Sequence, residues 1–182
     1  MKTGMIVRNF VAKDGSNVIL RTPRWEGLND LLEFISSLVD EGAGITMNKK
    51  PSRQEEAEWL GRLLINLEND RLFDLVAEVD GKVVANSELS RKTGYTEHVG
   101  EIGIAIKAGY RDIGIGTEML RTLIAHGRAI GLKVLSLSVF STNKTAKHVY
   151  EKVGFNETGR IPKAIFKDGK YIDMVLMTME LS

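Results

Sequence analysis

The run Arg111-Asp112-Ile113-Gly114-Ile115-Gly116-Thr117 is the segment of this chain best suited to hold an anion. It follows the apolar stretch Val99–Ile106 and leads into a helical pattern. The first turn of such a helix presents N–H groups that have no acceptor inside the helix. Glycine at 114 and 116 removes two Cβ atoms where a phosphate has to approach the main chain, and Arg111 adds a permanent positive charge. A diphosphate suits this cradle. Two better-known phosphate loops do not fit it. Gly109 and Gly114 have the spacing that opens a Walker loop, but Ile115-Gly116 stands where that loop needs Lys-Ser/Thr. The dinucleotide fingerprint fails because Met119 occupies its third glycine position and no acidic strand end follows.

A second segment carries a hydroxyl and an amide on one helical face. Asn143 and Tyr150 are two turns apart, with Ala146 between them and Gly154-Phe155 closing the pattern. His98, His126 and His148 are not at metal-ligand spacing, and no G-x-S-x-G turn accompanies them. They are expected to be structural or solvent-exposed, and no metal is expected.

These groups need elements to position them. Asp14-Gly15, Asp80-Gly81 and Asp168-Gly169 each sit between apolar runs, and Asp-Gly readily supplies the positive φ angles of hairpins. Three antiparallel hairpins follow: Ile6–Val11 with 18–22, Leu72–Val79 with 82–89, and 164–167 with 171–180. Val99–Ile106 and Val134–Phe140 add two strands. Helical spacing marks 28–38 and 51–67, the latter with Pro51 suited to a first turn, and then 113–130 and 143–153, stopped by Gly131 and Gly154. The order is ββ, αα, βββ, αβαββ, an α/β or α+β arrangement read as a single domain over 1–182.

Arg111-x-x-Gly114-x-Gly116, followed by Asn143-x-x-Ala146-x-x-x-Tyr150-x-x-x-Gly154-Phe155, resembles the two core motifs of the GNAT acetyltransferases. The resemblance runs from about Leu72 to the end, and the tail is similar to the polyamine and amino-acid branch. It implies a mixed, mostly antiparallel sheet splayed between Val99–Ile106 and Val134–Phe140, with helices on both faces. The pantetheine arm of acetyl-CoA would enter the splay, held by the backbone at Ile104, Ala105 and Ile106. The diphosphate would rest on the N–H groups of Asp112, Ile113, Gly114, Ile115, Gly116 and Thr117, with Arg111 nearby and Asn143 reaching the pantetheine. Tyr150 matches the position of the general acid that protonates the leaving thiolate. An amine of pKa near 10.4 is mostly protonated at neutral pH and needs a proton acceptor. Glu101 lies where related enzymes often carry that base, and Glu88 on the preceding strand is the second choice. The implied function is transfer of acetyl from acetyl-CoA directly to a primary amine in a ternary complex. The alternative is an acyl-CoA-binding or sensing module without turnover.

Composition bounds the rest. At 43% hydrophobic, 27% charged and a net charge of +1, nothing favours a nucleic acid partner. The absence of cysteine removes a cysteinyl intermediate. No stretch approaches the roughly 20 apolar residues of a membrane span, so a cytoplasmic protein without a membrane partner is expected. A homodimer is compatible with the resemblance. The acceptor is left open among polyamines, amino acids and peptide N-termini, with Asp40 and Glu41 as groups able to attract a cationic one.

Overall fold

The computed structural model describes residues 1–181. Its elements run β1 (Ile6–Val11), β2 (Asn17–Arg21), α1 (Leu28–Asp40), α2 (Arg53–Glu68), β3 (Leu72–Val79), β4 (Lys82–Arg91), β5 (Val99–Ile106), α3 (Ile115–Ala129), β6 (Val134–Phe140), α4 (Lys144–Val153), β7 (Asn156–Lys167) and β8 (Lys170–Glu180). The eight strands form one sheet in the order β1-β2-β3-β4-β5-β6-β8-β7. Every neighbouring pair is antiparallel except β5 with β6. The mixed, mostly antiparallel sheet that the resemblance implies is present.

Period-two alternation along β3 divides the core into two. Phe73, Leu75 and Ala77 face α3 and pack with Met119, Leu120 and Leu123. Leu72 and Val76 face the opposite way, against Leu31, Phe34 and Leu38 of α1 and Leu60 and Leu63 of α2. Helices therefore cover both faces. Truncating a fully buried side chain such as Leu120 or Leu60 is worth about 2–5 kcal/mol.

Local chemistry shifts several boundaries from those expected. Pro51 lies ahead of α2 rather than in its first turn. Ser52 is the N-cap, accepting from the Glu55 N–H while the Glu55 carboxylate accepts from the Ser52 N–H, a reciprocal capping box. Helix α3 begins at Ile115, two residues later than expected, because Asp112 (φ 63°) and Gly114 (φ 99°) are left-handed and hold the chain out of the helix. β7 begins at Asn156, well before the expected 164. Its early part is an edge strand with register shifts at Glu157/Gly159 and Ile161/Ile165, where Pro162 and left-handed Lys163 (φ 54°) break the alternation that betrays a strand.

Candidate active site

β5 and β6 are paired only at Val99↔Val134, Gly100↔Leu135 and Glu101↔Ser136. Gly100 lets them meet: a Cβ there would lie 2.6 Å from a Leu89 methyl carbon and 2.7 Å from one of Leu132. Beyond Glu101 the strands part, although β5 stays bonded to β4 as far as Ile106↔Ala85 and β6 to β8 as far as Phe140↔Met174. The main-chain groups of β5 and β6 that face each other past this point lose their sheet partners. An extended ligand arm carrying amides and carbonyls would replace them. A cleft of about 990 Å³ opens there, with Gly103 to Ile106 on one wall and Ser138 and Val139 on the other.

One end of the cleft is the start of α3. Its N-cap is Gly114, which has no side chain to accept from the first turn, and the first intrahelical bond runs from the Glu118 N–H to the Gly114 carbonyl. The N–H groups of Ile115, Gly116 and Thr117 are thereby left for a ligand. Gly114, Gly116, Thr117, Arg111 and Asp112 line the cleft. Ile115 is fully buried in the core and Ile113 packs against it, so both offer the site only main chain. These features fit a diphosphate: uncapped donors, no Cβ at 114 or 116, and cations on two sides.

The second of those cations was not expected. The β1–β2 turn docks on the cradle through the Lys13 N–H, which donates to the Ile113 carbonyl at 3.0 Å, and the Lys13 side chain lines the cleft beside Gly114. Arg111 itself donates from Nε to the Ile106 carbonyl at 2.8 Å and is ion-paired with Glu41. Glu41 also accepts the Ala108 N–H at 3.2 Å, and Asp40 pairs with Lys50 at 2.7 Å. The two acids that were expected to be able to attract a cationic acceptor are both engaged elsewhere.

Helix α4 brings up the opposite wall. Asn143 is its N-cap, its Oδ1 accepting the Ala146 N–H at 3.1 Å, which leaves Nδ2 as the group free to meet a ligand. Tyr150 lines the cleft yet is only 7% exposed, its ring edge-on to Phe155 at 6.4 Å. Burial pushes its phenol up to about 12. His148 lines the cleft from the same helix, whereas His126 packs on Phe73 at 4.2 Å, and burial lowers its imidazole.

The carboxylates lie on the α1/α2 side of the sheet. Glu101 stands opposite Ser90, with its side chain 59% exposed and 3.6 Å from Lys92. Glu88 stands opposite Gly103 on one side and Asp74 on the other, and accepts from the Ser90 hydroxyl. Both glutamates line the cleft. Asp74 is completely buried; the Asn86 side-chain amide donates to its Oδ1 at 2.6 Å and its Oδ2 has no partner. Burial raises its carboxyl well above the usual range, the facing Glu88 raises it further, and the Asn86 hydrogen bond offsets part of this. Asp74, opposite Glu88, was not singled out in the sequence; its one signal is an acid set between Phe73 and Leu75 in the largely apolar run Leu72–Val79.

The folded chain keeps the Asp74 proton at pH values where the unfolded chain, with a carboxyl near 3.9, has released it. Stability from this group is therefore full below about pH 4 and falls as pH rises toward the folded value. Asp74→Asn removes that loss. The variant is expected to melt at a higher temperature than the parent at pH 7.5. Its advantage should shrink at pH 4.5, as read from thermal melts at the two pH values.

Among the described residues no cluster of three or more His, Asp or Glu side chains is placed to hold a metal, and no helix is long and apolar enough to cross a membrane.

Residues 36–155 match the model of the Acetyltransferase (GNAT) family. The chain is 26% identical over 109 residues to the L-amino acid N-acyltransferase MnaT of Escherichia coli K12, covering 59% of this chain and 63% of that protein. It spans about half the length of the curated relatives it matches. An N-acetyltransferase from Staphylococcus aureus Mu50 superposes with a TM-score of 0.81 at 20% identity, covering 92% of this chain and all of that one. A phosphinothricin acetyltransferase from Sinorhizobium meliloti, solved with AcCoA, superposes with a TM-score of 0.80 at 22% identity, over 91% and 89% of the two chains. At these identities the two structures speak for the fold.

Proposed function

This chain belongs to the GNAT acetyltransferase family, and from that premise we propose that it is a single-domain N-acetyltransferase moving acetyl from acetyl-CoA directly to a primary amine in a ternary complex. The observation that carries the proposal is the parting of β5 and β6 beyond Glu101 into a cleft that ends on the uncapped N-terminus of α3. Ile104, Ala105 and Ile106 would bond the pantetheine amides along the free edge of β5, and the main chain of Asp112 to Thr117 would take the diphosphate. Lys13 and Arg111 would share its charge, with Asn143 Nδ2 meeting the pantetheine from α4.

In the chemical step Glu101 accepts a proton from the acceptor ammonium, through water. The freed nitrogen lone pair attacks the thioester carbonyl carbon, the C–S bond breaks and the sulfur takes the Tyr150 proton, while the second proton of the attacking nitrogen passes through water to the Tyr150 phenolate and restores the phenol. The products are an N-acetyl amine and the free thiol of CoA. Tyr150 is placed for the acid role because it lines the cleft, and burial, which raises its phenol to about 12, keeps the proton in place until the thiolate departs. Glu101 suits the base role because it stands at the last paired position before the strands part, where water can reach it.

Glu101→Gln is expected to lower kcat by about 10–100-fold, with acetyl-CoA affinity within about twofold of the parent, since an amide of the same shape can neither take the proton nor disturb the cradle. Release of free thiol from acetyl-CoA in the presence of a primary amine measures it. If Glu101→Gln keeps full kcat while Glu88→Gln loses it, the base is Glu88.

A further inference from the structure

A second pocket, about 700 Å³ in volume, lies under the C-terminal half of α2 and the turn between β4 and β5. It shares Glu88 and Ser90 with the cleft just described, so the two spaces meet at those side chains. A molecule lying in it would present one end to the Glu88 and Glu101 carboxylates. Nothing in the proposed chemistry so far makes use of the remainder of this space.

Its walls have a distinct chemistry. Trp59, Leu63 and Leu72 give an apolar side, and Arg62, Arg71 and Arg91 bring three guanidinium groups to the rest. Among the described residues neither Arg62 nor Arg71 has an ion pair or a side-chain hydrogen bond, and Arg91 bonds only a neutral group, the Glu97 carbonyl at 2.7 Å. Lys92 is matched by Glu101, and Asp70 by the amino group of Met1. The carboxylate of Glu97 is the one acid of the outer wall without an ion pair among the described residues. Three arginines line the same pocket, so the balance of formal charge at the outer end is positive. Asp40 and Glu41, engaged with Lys50 and Arg111, add no negative charge for a polycation to find.

Resting on the reading that an amine is acetylated beside Glu101, we propose that the acceptor is an amine that also carries an anionic group and an apolar body. Its amine would lie toward Glu88 and Glu101, and its carboxylate or similar anion toward Arg62 and Arg71. Guanidinium forks match such anions with two parallel hydrogen bonds. A polyamine would instead bring further positive charge among three arginines, which like-charge repulsion opposes.

The test pairs each acid-bearing amine with the same molecule lacking its carboxylate: L-leucine with 3-methylbutylamine and 5-aminopentanoate with pentylamine, with spermidine as the polycation. Thiol release is followed for the parent chain and for Arg62→Ala and Arg71→Ala, both exposed positions outside the proposed chemistry. In at least one pair the acid-bearing member is expected to have a kcat/KM about tenfold or more above its partner and above spermidine. The arginine variants should raise KM for that member about tenfold while leaving its kcat, and both parameters for the plain amine, within about twofold. Equal or better use of the plain amines or spermidine, or variants that shift both members of a pair alike, would overturn the proposal.

Should no amine be acetylated although acetyl-CoA binds, the transferase reading fails by itself. Calorimetric titration of L-leucine and 5-aminopentanoate onto the CoA-saturated chain then decides the pocket. Binding of either that is lost in Arg62→Ala and Arg71→Ala sustains it, and no binding of either overturns it.

Discussion

Replacing Tyr150 by phenylalanine is expected to lower kcat by about 10²–10³-fold while the Kd for acetyl-CoA stays within about twofold of the parent. The hydroxyl is the only group removed. Among the described residues it has no hydrogen-bond partner, so its loss leaves no orphaned donor or acceptor behind. The ring is retained against Phe155, and stability should hold within about 0.5 kcal/mol. Without the phenol the CoA thiolate must depart unprotonated or borrow a proton from water. Because burial holds the phenol near 12, the parent should show no fall in kcat from this group as pH rises to about 10. A kcat for Tyr150→Phe within threefold of the parent would remove Tyr150 from the acid role and turn attention to His148 on the same helix.

The second large effect is expected at Gly114. Its φ of 99° is left-handed, a region that a β-branched residue enters only at a cost of about 1–2 kcal/mol. Gly114→Val should relieve that strain by turning the peptide units that present the α3 N–H groups. Losing even one or two charge-assisted hydrogen bonds of about 1.5–3 kcal/mol each weakens acetyl-CoA binding by about 100-fold. Gly116→Ala makes a useful contrast. Its new Cβ would lie 2.8 Å from Ile106 Cδ1, the far end of a side chain able to move, so its effect should be clearly smaller. Titration calorimetry on the two variants, with melts to confirm folding, checks the order; equal affinities for Gly114→Val and the parent would contradict it.

Much of this arrangement was legible in the residues because it is written locally. Asp80-Gly81 and Asp168-Gly169 take positive φ at both positions and close their hairpins, as Asp-Gly pairs do. Gly114 and Gly116 mark the turn into α3, and they line the same cleft as Asn143 and Tyr150, whose spacing puts them on one helical face. What escaped was non-local. Lys13 reaches the cradle only because the β1–β2 turn bonds to Ile113, a contact that no periodicity encodes. Glu41 meets Arg111 because the end of α1 reaches the turn after β5, where Glu41 also accepts the Ala108 N–H, and Asp74 meets Glu88 through strand register. The start of β7 was missed because an exposed, bulged edge strand loses the alternation of a half-buried one. Arg62 and Arg71 are unremarkable surface residues until α2 and β3 are set side by side around the second pocket.

The claim on which the rest depends is that the parted strands and the uncapped turn of α3 hold the two halves of one ligand. Titration calorimetry with acetyl-CoA, and separately with S-acetylpantetheine, which keeps the amide arm but lacks the diphosphate, tests it most directly. The expected result is one site per chain for acetyl-CoA, with binding about 30-fold or more weaker for the truncated thioester. No heat from acetyl-CoA, or equal affinity for the two, would contradict the account.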